Sequence, residues 1–175
     1  MFLGAGCEKE KSNVKVAKIY IQAFNLKDYD IMEYVLADTF EIEEMGSTQK
    51  YIKADYRKSL DWDEVFETKY QIEDISKTDS ITTVLAQRTS KRISYLHEEP
   101  FKCKMIFHIQ QNKIGRIEID VINFNLETFN RNWVTFTKWL KDTDPDNYNN
   151  LTADHTKESA EFFVAKFEEF KLSNN

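Results

Sequence analysis

His108, Glu118 and Asp120 are the side chains with which this chain would do acid–base chemistry, since they combine titratable groups with neighbouring positions on two consecutive alternating segments. Such chemistry needs an ionisable group inside a cavity, where burial moves its pKa toward the working pH. The alternation argues against that placement. Phe101, Cys103, Met105, Phe107 and Ile109 share one face of the first segment, and Lys102, Lys104, His108 and Gln110 share the other, with Ile106 alone breaking the split. In the second segment Ile117, Ile119 and Val121 oppose Arg116, Glu118 and Asp120. If the apolar faces turn toward helices, the three candidates lie on the polar side, unless a bulge shifts the register. The expectation is therefore that none of them is catalytic, and that a carboxylate or histidine enzyme is the alternative.

The remaining reactive residue types give weaker signals. Cys103 sits within the apolar face and reads as a small buried hydrophobe, while Cys7 belongs to an N-terminal tail, so the two make poor disulfide partners. His97, His108 and His155 show no metal-ligand spacing, and neither a metal nor another cofactor is expected. Tyr20, Tyr34, Tyr56, Trp62, Tyr70 and Phe107 are candidates for lining a ligand cavity, because amphipathic rings combine apolar contact with a polar tip.

Composition bounds the partners. The 175 residues carry a net charge of −6, with 41% apolar and 31% charged residues, which is the balance of a chain that folds around a core. Four Gly and two Pro leave no room for a long linker, and one domain over residues 13–175 is expected, with helices appended from about residue 125. The 30 acids and 24 bases are spread along the whole chain with no cluster of bases interleaved with aromatics, which argues against nucleic acid as a partner. Arg88, Lys91 and Arg92 read as a solvated strand edge. No apolar run is long enough to cross a bilayer.

The elements that must position these residues follow from periodicity. A first helix starts at Ser12 or Asn13, and a second starts near Asp28, followed by a strand at 40–43. Gly46-Ser47 is read as opening a third helix, with Ser47 as its cap. Four strands are then expected at 66–75, 81–93, 101–110 and 114–124, the last two joined by a tight turn at Gln111-Asn112-Lys113. Phe129, Trp133, Phe136 and Leu140 mark a further helix ending at Asp144-Pro145, and Ala160, Phe163, Phe167 and Phe170 mark the last.

Met1-Phe2-Leu3-Gly4-Ala5-Gly6-Cys7, an apolar and small-residue run that turns sharply polar at Glu8, resembles a bacterial lipobox. The match departs from the motif in carrying Gly4 where leucine is expected and in lacking a charged start and a long apolar region. The resemblance implies lipidation of Cys7 and a lipid-anchored place in the bacterial cell envelope, the lipid being the sole contact with the membrane.

The order helix, helix, strand, helix and then long strands, with the hairpin Phe107-His108-Ile109-Gln110-Gln111-Asn112-Lys113-Ile114-Gly115-Arg116-Ile117, resembles the nuclear transport factor 2-like superfamily, which includes the SnoaL-like proteins. That resemblance covers about residues 13–124. It implies an α+β fold in which a curved antiparallel sheet wraps around the N-terminal helices in a cone-like, cystatin-like roll with an apolar pocket. Three functions follow as expectations. The first is a non-catalytic domain binding a small apolar ligand or a protein partner, motivated by the absence of inward ionisable groups. The second is a SnoaL-like or ketosteroid-isomerase-like enzyme acting on a small apolar substrate, and the third is a homodimeric interaction module.

Overall fold

A computed structural model describes residues 5–79, 81–148 and 156–173, the side chains of 5–12 excepted. The Cys7 side chain and His155 therefore lie outside the described residues. The chain forms two compact units. One comprises Met1–Arg57, Lys69–Arg88 and Lys102–Ile122, and the other Lys58–Thr68, Thr89–Phe101 and Asn123–Asn175.

The first unit opens with α1 (Ala5–Leu26) and α2 (Tyr29–Val35). Asp28 caps α2 by accepting the Ile31 amide at 3.1 Å, as its position predicts. Helix α1 begins before Ser12, and Asn13 is a buried residue within it instead of its cap. Strand β1 (Leu36–Glu44) turns through Met45 and Gly46, both at positive φ, into β2 (Ser47–Ile52). That two-residue turn matches the twist of a hairpin, so Ser47 enters a strand and not a helix. Helix α3 (Lys53–Val65) follows, then β3 (Lys69–Thr78) and β4 (Ile81–Thr89). The expected strand at 66–75 thus starts later, because Phe66 still closes the turn after α3 by donating its amide to the Trp62 carbonyl. After β4 the chain does not remain extended to residue 93. Ser90 accepts the Ile93 amide at 3.0 Å and starts α4 (Lys91–Leu96).

Strands β5 (Phe101–Gln110) and β6 (Lys113–Val121) form the expected hairpin, with Gln111 and Asn112 both at positive φ. The six strands order as β2-β1-β6-β5-β4-β3 in one curved sheet. The sheet is mixed where an antiparallel one was expected: β1 runs antiparallel to β2 but parallel to β6. A parallel neighbour needs a long connection, and the whole stretch from β2 to β5 supplies it. Side chains of β5 alternate buried and solvent-facing along its length, and α1 packs against the buried side through Tyr20 and Phe107, whose rings lie 5.7 Å apart.

At the free edge of the sheet, Asn25 of α1 acts as a substitute strand for β3. Its side-chain amide donates to the Tyr70 carbonyl at 2.7 Å and accepts the Tyr70 amide at 2.8 Å. Both groups of one residue point to the same side of a strand, so a single amide satisfies them. Asn25→Ala is expected to destabilise the protein by about 1–2 kcal/mol, because it strips partners from partly buried backbone groups. Urea denaturation of the full chain checks this.

The second unit gathers the end of α3, α4, α5 (Leu126–Thr143) and α6 (Lys157–Ser173). Asn125 caps α5 by accepting the Thr128 amide at 3.0 Å. The two predicted aromatic stripes meet in a core of Phe66, Tyr95, Leu96, Phe136, Leu140, Ala160, Phe163 and Phe167. Tyr95 stacks on Phe167 at 4.3 Å between ring centroids and donates its hydroxyl to Glu168. Burial, with that bond in support, holds the Tyr95 phenol above its ordinary pKa.

Candidate functional site

The register of the two late strands decides where ionisable groups lie. Met105 pairs with Ile119 and Phe107 with Ile117, and all four side chains are buried against the helices of the first unit. His108 pairs with Arg116 and Lys104 with Asp120 on the opposite face. A register shift does occur, but it falls after His108, where Gly115 is skipped and Ile109 meets Ile114, so it does not turn His108 inward. On this outer face His108 Nε2 lies 2.8 Å from Glu118, and Arg116 is ringed by Glu41, Glu43 and Glu118. His108 and Glu118 are partly exposed and Asp120 is exposed. His108 and Glu118 are thus partly solvated and paired with each other, which is the arrangement of a surface ion network.

The inward side nevertheless holds charge, against the expectation that it would hold none. Thr82, Val84 and Ala86 of β4 are buried, and Arg88 continues their alternation onto the same face. Glu44 does the same on β1: it pairs with Ile119 of β6, two residues after Ile42 pairs with Ile117. The Arg88 guanidinium donates to the Glu44 carboxylate at 2.6 Å and to the Tyr70 hydroxyl at 3.3 Å. Only 13% of the Arg88 side chain is exposed, against 38% for Glu44. Burial opposes the Arg88 charge, and Tyr70 and Glu44 outweigh that opposition, so the guanidinium stays protonated with its pKa above the ordinary range. Arg88 is thus an interior ion-pair residue and not part of a solvated edge, and β4 lies between β5 and β3.

Four of the six expected ligand-lining residues are buried in the same unit as this pair, and Tyr70 is in contact with it. Tyr20, Tyr56, Tyr70 and Phe107 are buried in the first unit. The Tyr20 and Tyr56 hydroxyls share a hydrogen bond of 2.8 Å, and Phe24 meets Tyr70 edge-on at 5.3 Å. Tyr34 does not join them, since it is 76% exposed with Lys113 over its ring at 4.8 Å. Trp62 belongs to the second unit, where it packs on Phe66 at 5.0 Å with Arg92 nearby. An open groove of about 340 Å³ in the first unit is lined by Leu26, Lys27, Asp28, Tyr29, Asp30 and Arg57, and it contains none of the six.

Cys103 is buried on the same inward face. Desolvation raises its thiol pKa, Arg88 pulls it down and Glu44 pushes it up, and the net direction is upward. In a Cys7→Ser variant the native protein is expected to react with a thiol-specific reagent at pH 8 more than about tenfold slower than in urea, because only the thiolate attacks. A rate equal to that of the unfolded chain would contradict the placement. His97 is set among Phe101, Phe124 and Phe129, with ring centroids at 4.5, 4.8 and 5.3 Å. Among the described residues no three His, Cys, Asp or Glu side chains are grouped to hold a metal ion.

No protein-family model and no curated protein matches the sequence. Solved structures do match in fold. An LEH-like epoxide hydrolase from M. tuberculosis superposes with a TM-score of 0.58 at 12% identity, covering 78% of this chain and 98% of that one. A nuclear transport factor 2-like protein of unknown function from Cytophaga hutchinsonii gives 0.51 at 10% identity, over 61% of this chain and 87% of the other. An uncharacterized cystatin fold protein from Novosphingobium aromaticivorans gives 0.54 at 21% identity, over 61% and 96%. The order of strands, the helices packed on the sheet and these likenesses agree, and the chain has the α+β fold of the nuclear transport factor 2-like proteins.

Proposed function

We propose that this chain is a non-catalytic binding domain that receives a small, mainly apolar molecule on the helix-facing side of the sheet in its first unit. The observation that carries this reading is the arginine on that face. Burying a guanidinium contributes little to stability even when it is paired, and apolar residues of similar volume would serve a core at least as well. An apolar surface with a few converging polar groups is instead what ligand recognition needs. Here Arg88, Glu44 and Tyr70 supply those groups at one place, and the Tyr20–Tyr56 hydroxyl pair supplies another. NMR titration of the labelled full chain with octanol tests the reading. Shifts concentrated at Tyr20, Tyr70, Met105 and Phe107 are expected, and shifts confined to His108 and Arg116, or none at millimolar octanol, would overturn it.

A second reading is acid–base catalysis on a small apolar substrate, favoured by the Glu44 carboxylate and the Tyr70 phenol converging on the same guanidinium. One of the similar structures is named an epoxide hydrolase. Covalent change of a bound small molecule, lost in Glu44→Gln, separates this reading from the first.

We propose further that Cys7 carries a lipid and anchors the domain at a bacterial envelope. The support is the small-residue run ahead of Cys7 and the charged stretch after it. Among the described residues no helix is long and apolar enough to cross a membrane. Incorporation of an alkynyl fatty acid that Cys7→Ser abolishes would establish the anchor.

A further inference from the structure

We infer that Arg88 is an anion-receiving group, and that a small amphipathic carboxylate binds by taking the place of Glu44 on its guanidinium. This rests on the helix-facing side of the first unit being the binding surface.

The two partners of the ion pair are unequally fixed. Arg88 projects from β4, a strand flanked on both sides, and its side chain is 13% exposed. Glu44 is the last residue of β1, next to the Met45-Gly46 turn, and its side chain is 38% exposed. The cation is therefore held in the protein while its counter-ion stands at the solvent side. A carboxylate that rotates out into water loses little, whereas a guanidinium left there without an anion loses much. Exchanging Glu44 for a ligand carboxylate leaves Arg88 neutralised in the bound state, and it frees Glu44 to be hydrated.

The geometry also sets the ligand's class. One Arg88 nitrogen donates to Glu44 and another to the Tyr70 oxygen, so the two guanidinium nitrogens face different acceptors. An incoming carboxylate meets the guanidinium nitrogen that now holds Glu44, a charge-assisted donor. A single carboxylate matches the single charge that it replaces, whereas a dianion would bring an excess charge to a half-buried position. Next to the pair the inward face is apolar, with Cys103, Met105 and Phe107 of β5 in line, so the rest of the ligand is apolar. A neutral alcohol of the same length would gain the apolar contacts but would have no charge with which to release Glu44.

The test is calorimetric titration of the full-length protein with octanoate and with octanol, for wild type, Glu44→Gln and Arg88→Met. Wild type is expected to bind octanoate about tenfold more tightly than octanol. Glu44→Gln is expected to tighten octanoate about tenfold further, because the internal competitor is gone and the receptive state is no longer a minor one. Arg88→Met is expected to bind the two probes equally. Should Arg88→Met not fold, the double variant with Glu44→Gln removes both charges and takes its place, with the same expectation. Equal binding of octanoate and octanol by wild type, or octanoate binding that neither substitution alters, would overturn the anion site while leaving small-ligand binding intact. No binding of either probe would overturn both.

Discussion

Glu44→Ala is expected to lower the unfolding free energy by about 2–3 kcal/mol, and Arg88→Met by about 1 kcal/mol or less. The asymmetry follows from where each partner sits. Removing Glu44 takes away the carboxylate that a guanidinium on a 13% exposed side chain holds at 2.6 Å, while the Tyr70 hydroxyl stays in place. Removing Arg88 leaves a carboxylate that is already 38% exposed and turns into water. The partial exposure of Glu44 keeps the first figure below the full penalty of a broken buried pair. A variant carrying both substitutions, Glu44→Ala and Arg88→Met, is expected to be more stable than Glu44→Ala alone, since it contains no uncompensated charge. Urea denaturation of the four proteins supplies the cycle. Equal losses for the two single variants would show that the pair is a surface contact.

The largest loss is expected in the second unit. Phe136 is completely buried, and its ring lies 4.4 Å from that of Phe167, 5.4 Å from that of Phe163 and 5.7 Å from that of Phe170. Cutting it back to alanine removes the ring's transfer free energy and leaves a cavity that the surrounding rigid rings fill poorly. Phe136→Ala is expected to cost about 4 kcal/mol. Val134, on the same helix but 61% exposed, is the control, and Val134→Ala is expected to change stability by less than about 0.5 kcal/mol. Hydrogen exchange of amides in α5 and α6 reads out both variants, with protection falling steeply for the first and unchanged for the second.

How much of this was legible in the sequence differs from element to element. The alternation through β5 and β6 placed Met105, Phe107, Ile117 and Ile119 inside and His108, Glu118 and Asp120 outside, because a period of two admits no other burial for two apolar faces. The stripes through Phe136 and Phe163 were equally plain, since residues three and four apart share a helix face. Gly46-Ser47 misled because Gly followed by Ser suits a helix start as well as a hairpin exit, and only the positive φ values at Met45 and Gly46 separate the two. The parallel pairing of β1 with β6 has no local signature, being a choice between distant strands. Arg88 and Glu44 were missed for a different reason. Charge ordinarily signals exposure, but the parity that buries Thr82, Val84 and Ala86 assigns Arg88 to the same side. The signal was there, but identifying its partner required the fold, since β6 and β5 lie between the strand of Glu44 and that of Arg88 in the sheet.

A crystal structure of the full chain grown with octanoate tests most directly whether the helix-facing side of the first unit is the receiving surface. The expected result is a carboxylate on the Arg88 guanidinium, an alkyl chain against Met105 and Phe107, and Glu44 rotated into solvent. Octanoate lying instead in the groove between Leu26 and Arg57, with the Arg88–Glu44 pair intact, would contradict it.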